Sequence, residues 1–188
     1  MNILVIGGAG YVGSHAARYL IAAGHEVWVL DNLATGHRDA APADRLIVGD
    51  VLDEATVEAT LRRHAIDAVM HFAASSLGGE SVSDPAKYYR NNIAGAIALL
   101  DAMRRADVTK IVFSSTTATY GEPETVPIPE STPQHPINPY GFTKLAIEHM
   151  LADYAAAYGI AYAALRYFNA AGAAADATLG EDHRPESH

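Results

Sequence analysis

The first fifteen residues read MNILVIGGAGYVGSH (1–15), and this stretch decides the fold. The apolar run 2–6 predicts a buried strand, and the glycine-rich stretch 7–13 predicts a tight turn into a helix that ends near Gly24. Gly7, Gly10 and Gly13 suit a tight turn, close approach of the backbone to a pyrophosphate, and close packing of helix on strand. Because a helix start also offers free amides and a positive dipole end, the stretch predicts an anion site.

The rest of the chain alternates between short β-rich runs and longer helical runs. This alternation predicts an α/β fold of Rossmann type, a doubly wound parallel sheet with helices on both faces, over residues 1–168. Asp84 as N-cap with Pro85 after it would begin one helix, and Gly159 would end another. Further strands are predicted at 26–30, 45–49, 67–73, 110–115 and 160–166, further helices at about 54–64, 84–106 and 140–158, and a Pro-rich loop at 121–139.

Composition narrows the class of protein. With 188 residues and a net charge of −9, the chain can form one sizeable domain but lacks the basic stripe that nucleic-acid binding would need. Cysteine is absent, which excludes disulfides and thiolate metal sites and fits a cytoplasmic protein. The apolar stretches are short and interrupted, and the N-terminus lacks the basic region of a signal peptide, so no membrane partner is expected.

The second strand ends at Asp31, 24 residues after Gly7. A carboxylate there can accept hydrogen bonds from both ribose hydroxyls of an adenosine and would repel a 2′-phosphate, so the pattern favours NAD over NADP. The plainer alternative is a tight βα turn with an acid that caps a strand. Asp50, at the end of the third strand, could reach the adenine edge, although an Asp at a strand end is also an ordinary turn residue.

Tyr140 and Lys144 are four positions apart and would share one face of a helix. The ammonium of Lys144 is expected to lower the pKa of the Tyr140 phenol, and the phenolate could take a proton from a sugar hydroxyl as hydride leaves its carbon. Lys144 could also hold the nicotinamide ribose. Thr116, at the end of the fifth strand, could share the proton with Tyr140. The alternatives are a helix-surface pair and hydroxyl residues that simply end a strand.

Together these residues resemble the extended short-chain dehydrogenase/reductase family, and within it the UDP-glucose 4-epimerases. The resemblance runs in order along essentially the whole chain. The strings that carry it are GGAGYVGSH (7–15), LDNLATGHR (30–38), HFAA (71–74), GESV (79–82), YYRNN (88–92), FSSTTATYGE (113–122), PYGFTKLAIEHML (139–151), LRYFNAAGA (165–173) and GEDHRPESH (180–188).

The resemblance implies a bound NAD, a UDP-sugar substrate, and a reaction that oxidises the sugar at C4, rotates the 4-keto sugar and returns hydride to its other face. Thr116, Tyr140 and Lys144 would be catalytic, and Thr116, Tyr140 and Asn169 would touch the substrate. The implied cofactor residues are Gly7, Gly10, Tyr11, Val12 and Gly13 at the pyrophosphate, Asp31, Asn32, Leu33, Thr35 and Gly36 around the adenosine ribose, Asp50 and Val51 at the adenine, and Phe72, Ala73, Ala74, Asn91, Ser114, Tyr140, Lys144 and Phe168 along the rest of the dinucleotide.

Two departures from the family pattern stand out. Some epimerases place a Lys shortly after the HFA string, where this chain has Ser75-Ser76-Leu77, so no cation is expected there and Ser76 is not assigned to the cofactor. The catalytic hydroxyl is Thr116 where many relatives have Ser.

Two other functions are considered. A sugar-nucleotide 4,6-dehydratase would need an acid pair beside Thr116, which the sequence lacks. A non-enzymatic NAD-binding sensor would usually lose Tyr140 or Lys144.

Family members are longer, and residues 169–188 would begin their substrate-binding region, here incomplete. The 188 residues alone are therefore expected to bind NAD with little or no turnover. The resemblance also implies a homodimer through the helices at 84–106 and 140–158. No metal site is predicted: His183 and His188, with Glu181, Asp182 and Glu186, fit no metal motif and suggest a solvated tail. His15 and His71 are expected to pack or to form hydrogen bonds.

Overall fold

The computed structural model describes residues 1–183, and its centre is a six-stranded parallel sheet. The strand order β3-β2-β1-β4-β5-β6 is that of a doubly wound dinucleotide-binding fold, so the predicted fold class is confirmed. The strands are β1 (Asn2–Ile6), β2 (Glu26–Asp31), β3 (Leu46–Val48), β4 (Ala68–His71), β5 (Lys110–Ser114) and β6 (Ala161–Leu165).

Helices connect the strands on both faces of the sheet. They are α1 (Tyr11–Ala22), α2 (Glu54–Arg63), α3 (Gly78–Ser83), α4 (Pro85–Tyr88), α5 (Gly95–Arg105) and α6 (Pro139–Tyr158), with 3₁₀ turns at Arg38–Ala40 and Thr117–Tyr120. Asp84 caps α4 by accepting a hydrogen bond from the amide of Lys87, with Pro85 in the first turn, as predicted. Gly159 ends α6 in the left-handed conformation, which confirms the predicted stop.

Strand β1 shows why the sheet has a core on each face. Its side chains alternate, so Leu4 and Ile6 pack with α2, α5 and α6 in one cluster, while Ile3 and Val5 pack with α1 in the other. All four are buried. Burial on both faces does not extend to the edges of the sheet, because most residues of β6 are exposed and none of β3 is fully buried.

The long helical stretch predicted over 84–106 is confirmed, since residues 85–105 are helical without a break, but it is not α-helical throughout. A π-helical turn (Tyr89–Ala94) separates α4 from α5, and α3 is an additional helix that the sequence pattern did not indicate. The buried Asn92 lies in the π-helical turn and bonds to segments far away in sequence, so the local pattern does not reveal this irregularity. The other predicted strands and helices agree with the structure to within two residues at each end.

Residues 169–183 form no helix or strand, and part of this segment lies against α1. The hydroxyl of Tyr11 donates to the carbonyl of Gly172 (2.6 Å), and Arg18 forms an ion pair with Asp176. The division of the chain after residue 168 stays a prediction. Within residues 1–183, no helix combines the length and the hydropathy needed to cross a bilayer.

Candidate functional site

The phosphate loop, residues 7–13, joins β1 to α1 at the carboxyl edge of the sheet. Gly7 has φ +76°, and a Cβ there would lie 2.5 Å from the amide nitrogen of Ala73. A Cβ at Gly13 would lie 2.1 Å from the carbonyl oxygen of Gly7, so both positions require glycine for packing. At Gly10 a Cβ would meet only that same oxygen, at an ordinary 3.5 Å, so the fold alone does not require glycine there.

Asp31 is buried at the end of β2 and holds the loop in place. Its Oδ2 accepts a hydrogen bond from the amide of Ala9 (2.9 Å), and its Oδ1 accepts one from the amide of Leu33 (2.8 Å). Each carboxylate oxygen has further acceptor capacity, so these bonds leave Asp31 able to bind a hydroxyl. Asp31 thus has a structural role that the sequence did not predict, beside the proposed ribose contact.

The residues predicted around the adenosine fall into two groups. Asn32, Thr35 and Val51 line the main cavity with Asp31. Leu33, Gly36 and Asp50 do not line it: Leu33 packs against the α1 core, and Gly36 lies close to Ala9 and Asp31. The Oδ2 of Asp50 accepts a hydrogen bond from the Asn32 side chain (3.0 Å), so Asp50 orients Asn32 from outside the cavity.

The main cavity has a volume of about 900 Å³ and runs from the phosphate loop to α6. Its size lies in the upper part of the roughly 300–1,000 Å³ range of ligand sites. It brings together eighteen of the residues that the sequence singled out. They are Gly7, Gly10, Tyr11, Val12, Gly13, Asp31, Asn32, Thr35, Val51, Phe72, Ala73, Ala74, Asn91, Ser114, Thr116, Tyr140, Lys144 and Phe168.

Lys144 is almost fully buried in the wall of this cavity. Its Nζ donates a hydrogen bond to the carbonyl oxygen of Ser114 (2.8 Å) and lies 4.8 Å from the ring centroid of Phe113. The same nitrogen lies 5.9 Å from the ring centroid of Tyr140. Burial lowers the pKa of Lys144 to about 7, because the charged ammonium is removed from water.

The predicted lowering of the Tyr140 pKa by Lys144 is wrong for this structure. Burial raises the pKa of the Tyr140 phenol, a hydrogen bond with the Thr116 side chain lowers it in part, and Tyr167 raises it further. The ammonium of Lys144 points at a carbonyl and not at the phenol oxygen, which explains its small influence. The Thr116 side chain is therefore close enough to affect the Tyr140 phenol, and both side chains line the same cavity.

Asn92 is a buried residue next to the site that sequence reasoning missed. Its Nδ2 donates to the carbonyl of Ser75 (3.1 Å) and to the hydroxyl of Thr143 (3.0 Å), and its Oδ1 accepts from the amide of Ser75 (2.9 Å). The Thr143 hydroxyl in turn donates to the carbonyl of Tyr140 (2.7 Å). The network ties the first turn of α6 to the segment after β4. Its one signal in the sequence was the YYRNN string.

A cation does line the cavity wall near Ser75-Ser76-Leu77, contrary to the expectation from the HFA string. Lys87 of α4 contributes it, with its Nζ 2.7 Å from Oε1 of Glu80. The bond from Lys87 and another from Tyr88 lower the pKa of Glu80. Ser76, which the sequence did not assign to the cofactor, also lines the cavity. Lys87 was missed because it is eleven residues beyond Ser76 and reaches the site from another helix.

Of the two site residues predicted beyond β6, Phe168 for the cofactor and Asn169 for the substrate, only one lines the cavity. Phe168 lines the cavity although its side chain is mostly exposed, whereas Asn169 is exposed and does not line it. Tyr167, which the sequence did not single out, lines the cavity and its hydroxyl bonds to that of Ser114. Burial raises the pKa of Tyr167, so this phenol stays protonated at neutral pH.

The solvated tail expected around His183 is wrong for the part that the structure describes. Glu181 and His183 are half-buried, and the Nδ1 of His183 lies 2.7 Å from Oε1 of Glu181. His183 and Asp182 line the main cavity near the phosphate loop. Glu186 and His188 lie outside the described residues. Among residues 1–183, no three His, Asp or Glu side chains form a group that could hold a metal ion.

His15 and His71 pack as expected, but one nitrogen of each is buried without a hydrogen-bond partner among residues 1–183. His15 contacts the ring of Tyr11 edge-on, with 5.4 Å between centroids. His71 lies against Phe113 at 5.8 Å. Burial and the nearby Lys144 lower the pKa of His71 to about 3, so this imidazole is neutral under physiological conditions.

Comparison with known proteins agrees with this site. The sequence pattern of the NAD dependent epimerase/dehydratase family matches residues 3–185. The whole chain is 56% identical to a UDP-glucose 4-epimerase of Lactobacillus helveticus, of which it covers 57%, and 53% identical to one of Corynebacterium glutamicum, of which it covers 56%. The chain therefore spans little more than half the length of these curated relatives.

Solved structures give the same picture. The fold superposes with a TM-score of 0.97 on the Brucella ovis UDP-glucose 4-epimerase in complex with NAD, at 56% identity, over 100% of this chain and 57% of that one. It superposes with a TM-score of 0.93 on the Bifidobacterium longum enzyme in complex with NAD⁺ and UDP, at 37% identity, over 98% of this chain and 58% of that one.

Proposed function

The chain belongs to the NAD dependent epimerase/dehydratase family, and we propose that it binds NAD in the main cavity and carries the catalytic half of a UDP-glucose 4-epimerase. The observation that carries the proposal is the lining of that one cavity. The phosphate loop forms one end, and Thr116, Tyr140 and Lys144 meet at the other. The high identity to 4-epimerases over the whole chain supports the choice of reaction.

The residues present fit a dinucleotide. Gly10 faces the cavity at a position where the fold itself tolerates a Cβ, so a ligand that must approach the backbone explains the glycine better than packing does. The first amides of α1 have no acceptor within the helix, and the helix dipole favours an anion there. The carboxylate of Asp31 would repel a 2′-phosphate, which favours NAD over NADP.

The cofactor contacts follow from this fit. Tyr11 and Val12 would hold the pyrophosphate through their amides, and Asp31 would hold the adenosine ribose with Asn32 and Thr35 beside it. Leu33, Gly36 and Asp50 would not contact the cofactor and would instead support the residues that line the adenosine end of the cavity. Val51, Phe72, Ala73, Ala74, Asn91, Ser114 and Phe168 would line the remainder, and Lys144 would hold the nicotinamide ribose.

In the proposed reaction NAD supplies the removal and return of hydride at C4 of the sugar. Tyr140 as the phenolate takes the proton of the C4 hydroxyl, and as the phenol it returns that proton when the 4-keto group is reduced. The Thr116 hydroxyl binds the same oxygen and shares that proton. Burial raises the pKa of Tyr140, and the Thr116 side chain lowers it in part, so Thr116 is the neighbour that favours the phenolate while Lys144 stays on the Ser114 carbonyl.

A 4,6-dehydratase remains the second candidate among enzymes, and the site favours it less. The residues after Thr116 are Thr117 and Ala118 in a 3₁₀ turn, so no carboxylate adjoins the hydroxyl in sequence. Within residues 1–183 the carboxylates that line the cavity are Asp31, Glu80 and Asp182. Asp31 supports the phosphate loop and Glu80 is paired with Lys87, so neither supplies an acid pair. A sensor without activity would not need both Tyr140 and Lys144.

NAD binding is tested directly on the purified chain. The protein is denatured and any released NAD is measured by absorbance, and affinities for added NAD and NADP are compared by calorimetry. We expect NAD to bind at least about 10-fold more tightly than NADP, a free-energy difference of roughly 1.4 kcal/mol. If excess NAD fails to bind to the folded chain, the proposal is wrong at its base.

The reaction is tested on a chimera in which this chain is followed by the part of the Lactobacillus helveticus relative that it does not cover. The chain alone is assayed beside it, and we expect it to show little turnover. We expect the chimera to convert UDP-galactose to UDP-glucose in a coupled assay. Tyr140→Phe keeps the ring and should reduce turnover about 10²- to 10⁴-fold, the usual loss of an acid–base group, while NAD binding stays. A 4-keto-6-deoxy product would assign the dehydratase instead.

We also propose a homodimer through the faces of α5 and α6. Tyr89, in the π-helical turn that precedes α5, and Phe142 on α6 are both exposed, and their rings meet edge to face at 6.2 Å. Ile97 on α5 adds a further exposed apolar side chain. Light scattering should give the mass of two chains, and Phe142→Asp should shift it to one. Ile21→Asp, at an exposed position on α1, should leave the mass unchanged.

A further inference from the structure

Glu148 is a buried carboxylate one helical turn beyond Lys144 on α6, and the proposed reaction gives it no role. Its Oε1 accepts a hydrogen bond from the hydroxyl of Ser115, and its Oε2 accepts one from the side chain of Gln134 (3.2 Å). Arg166, just after β6, donates to both oxygens through Nε (3.0 and 3.1 Å) and to Oε2 through Nη2 (2.6 Å). Burial alone would raise the pKa of Glu148, and these bonds lower it.

Arg166 extends this contact to other parts of the chain. Its Nη1 donates to the hydroxyl of Tyr120 (2.8 Å) and to the carbonyl of Glu130 (3.4 Å), and its Nη2 donates to Gln134 (3.3 Å). The Glu148–Arg166 pair thus connects five parts of the chain: the ends of β5 and β6, the 3₁₀ turn at Thr117–Tyr120, the Pro-rich loop and α6. A buried ion pair gains little stability over apolar packing, because desolvation offsets the attraction, so stability alone does not explain it.

The place of Ser115 suggests what the pair does. Ser115 lies between Ser114, whose carbonyl accepts the Lys144 hydrogen bond, and Thr116, which lines the cavity together with Tyr140. Glu148, Lys144 and Tyr140 are spaced by four residues on α6 and share one face of the helix. The bond from Ser115 to Glu148 therefore joins the strand and the helix that supply the proposed catalytic groups.

We propose that Glu148 is a positioning residue. By binding both Ser115 and Arg166, it fixes the position of α6 relative to the end of β5, and this keeps the Lys144 Nζ on the Ser114 carbonyl. The consequence for the reaction rests on the proposed function. The claim that Glu148 keeps Lys144 on the Ser114 carbonyl does not depend on that function, because it can be tested on the chain without cofactor or substrate.

Lysine NMR provides the test, because Lys87, Lys110 and Lys144 are the lysines of the chain. The Cε carbons are labelled with ¹³C, assigned with Lys87→Arg and Lys110→Arg, and titrated in the wild type, in Glu148→Gln and in Ser115→Ala. Asp153→Asn, an exposed acid on the same helix, is the matched control for the loss of charge. NAD affinity is measured on each variant by calorimetry, and thermal unfolding confirms that each is folded.

The direction of the shift separates positioning from charge. Loss of positioning admits water, so Glu148→Gln should raise the Lys144 midpoint from about 7 toward its ordinary 10.5, by about 1 pH unit or more. A role through charge alone should lower the midpoint, because Arg166 would then be uncompensated. Ser115→Ala changes no charge and should raise the midpoint by a smaller amount. Asp153→Asn should leave it unchanged.

We also expect Glu148→Gln to weaken NAD binding about 10-fold, as for the loss of one charge-assisted hydrogen bond. A midpoint that is unchanged or lower in folded Glu148→Gln would overturn the proposal. If that variant does not fold, Ser115→Ala decides, and an unchanged midpoint there would overturn it equally. If the wild type binds no NAD, the proposed function fails, while the lysine titration still tests the link between Glu148 and Lys144.

Discussion

The Nζ of Lys144 donates a hydrogen bond to the carbonyl oxygen of Ser114 across 2.8 Å, and this contact joins α6 to the carboxyl end of β5. A lysine is rarely buried, since its charge is costly to remove from water. Here burial brings the pKa of Lys144 to about 7, so the ammonium and the neutral amine are both accessible near neutral pH. The same burial reduces the stability of the folded chain at lower pH.

Lys144→Met is expected to stabilise the chain while it weakens NAD binding. The pKa of Lys144 is lower folded than unfolded, so below pH 7 the folded state carries the full cost of a buried charge, and the cost is relieved as the pH rises toward 10.5. We expect the variant to gain about 1–3 kcal/mol at pH 6, less as the pH rises. Urea unfolding at several pH values measures this gain. Lys110→Met, at an exposed position, should show none, and a destabilised Lys144→Met would contradict the prediction.

His71 should make the fold sensitive to acid. Its pKa is about 3 folded against an ordinary 6.5, so between these values the unfolded chain binds a proton that the folded chain does not. Stability is therefore lost as the pH falls from 6.5 toward 3, by an amount on the order of 3–5 kcal/mol. His71→Gln should flatten the pH dependence of unfolding in this window. His149→Gln, on an exposed part of α6, should follow the wild type, and identical curves for both variants would exclude the effect.

Two glycines of the phosphate loop should separate ligand binding from folding. Gly10→Ala places a methyl group in the cavity without a close contact to the fold, so we expect stability within about 1 kcal/mol of the wild type and a large loss of NAD affinity. Gly13→Ala forces a Cβ to 2.1 Å from the Gly7 oxygen and should destabilise the fold by more than about 2 kcal/mol. Thermal unfolding and calorimetry with NAD measure both. Unimpaired NAD binding by Gly10→Ala would remove the pyrophosphate from this position.

Substitution of the neighbouring residues Asn91 and Asn92 should affect different properties of the chain, NAD affinity for Asn91 and stability for Asn92. Asn92→Ala removes bonds to Ser75 and Thr143 and leaves buried polar groups unpaired, so we expect a loss of about 2–4 kcal/mol. Asn91 lines the cavity and makes one side-chain bond, to Asn92, so Asn91→Ala should affect NAD affinity more than stability. Chemical unfolding and NAD titration of the pair test this assignment, and equal stabilities of the two variants would refute it.

Sequence reasoning was accurate where neighbouring residues decide the outcome. The parallel sheet, the Asp84 cap and the Gly159 stop follow from periodicity and local backbone chemistry. It predicted the helical stretch over 84–106 but not the π-helical turn within it, because this turn holds Asn92, whose partners lie far along the chain. It also missed Lys87, since nothing in the local pattern shows that α4 turns this side chain toward the cavity.

By itself the sequence determined the phosphate loop and the Asp31 strand end. It also determined the helix that presents Tyr140 and Lys144 on one face, because each is a local pattern with its own backbone consequence. Only the tertiary structure decided the environment of these groups. The burial that raises the pKa of Tyr140 and lowers that of Lys144, and the Glu148–Arg166 pair that connects α6 to β5 and β6, arise from contacts between distant segments. Desolvation and hydrogen bonding depend on what surrounds an atom in space, which the order of residues does not state.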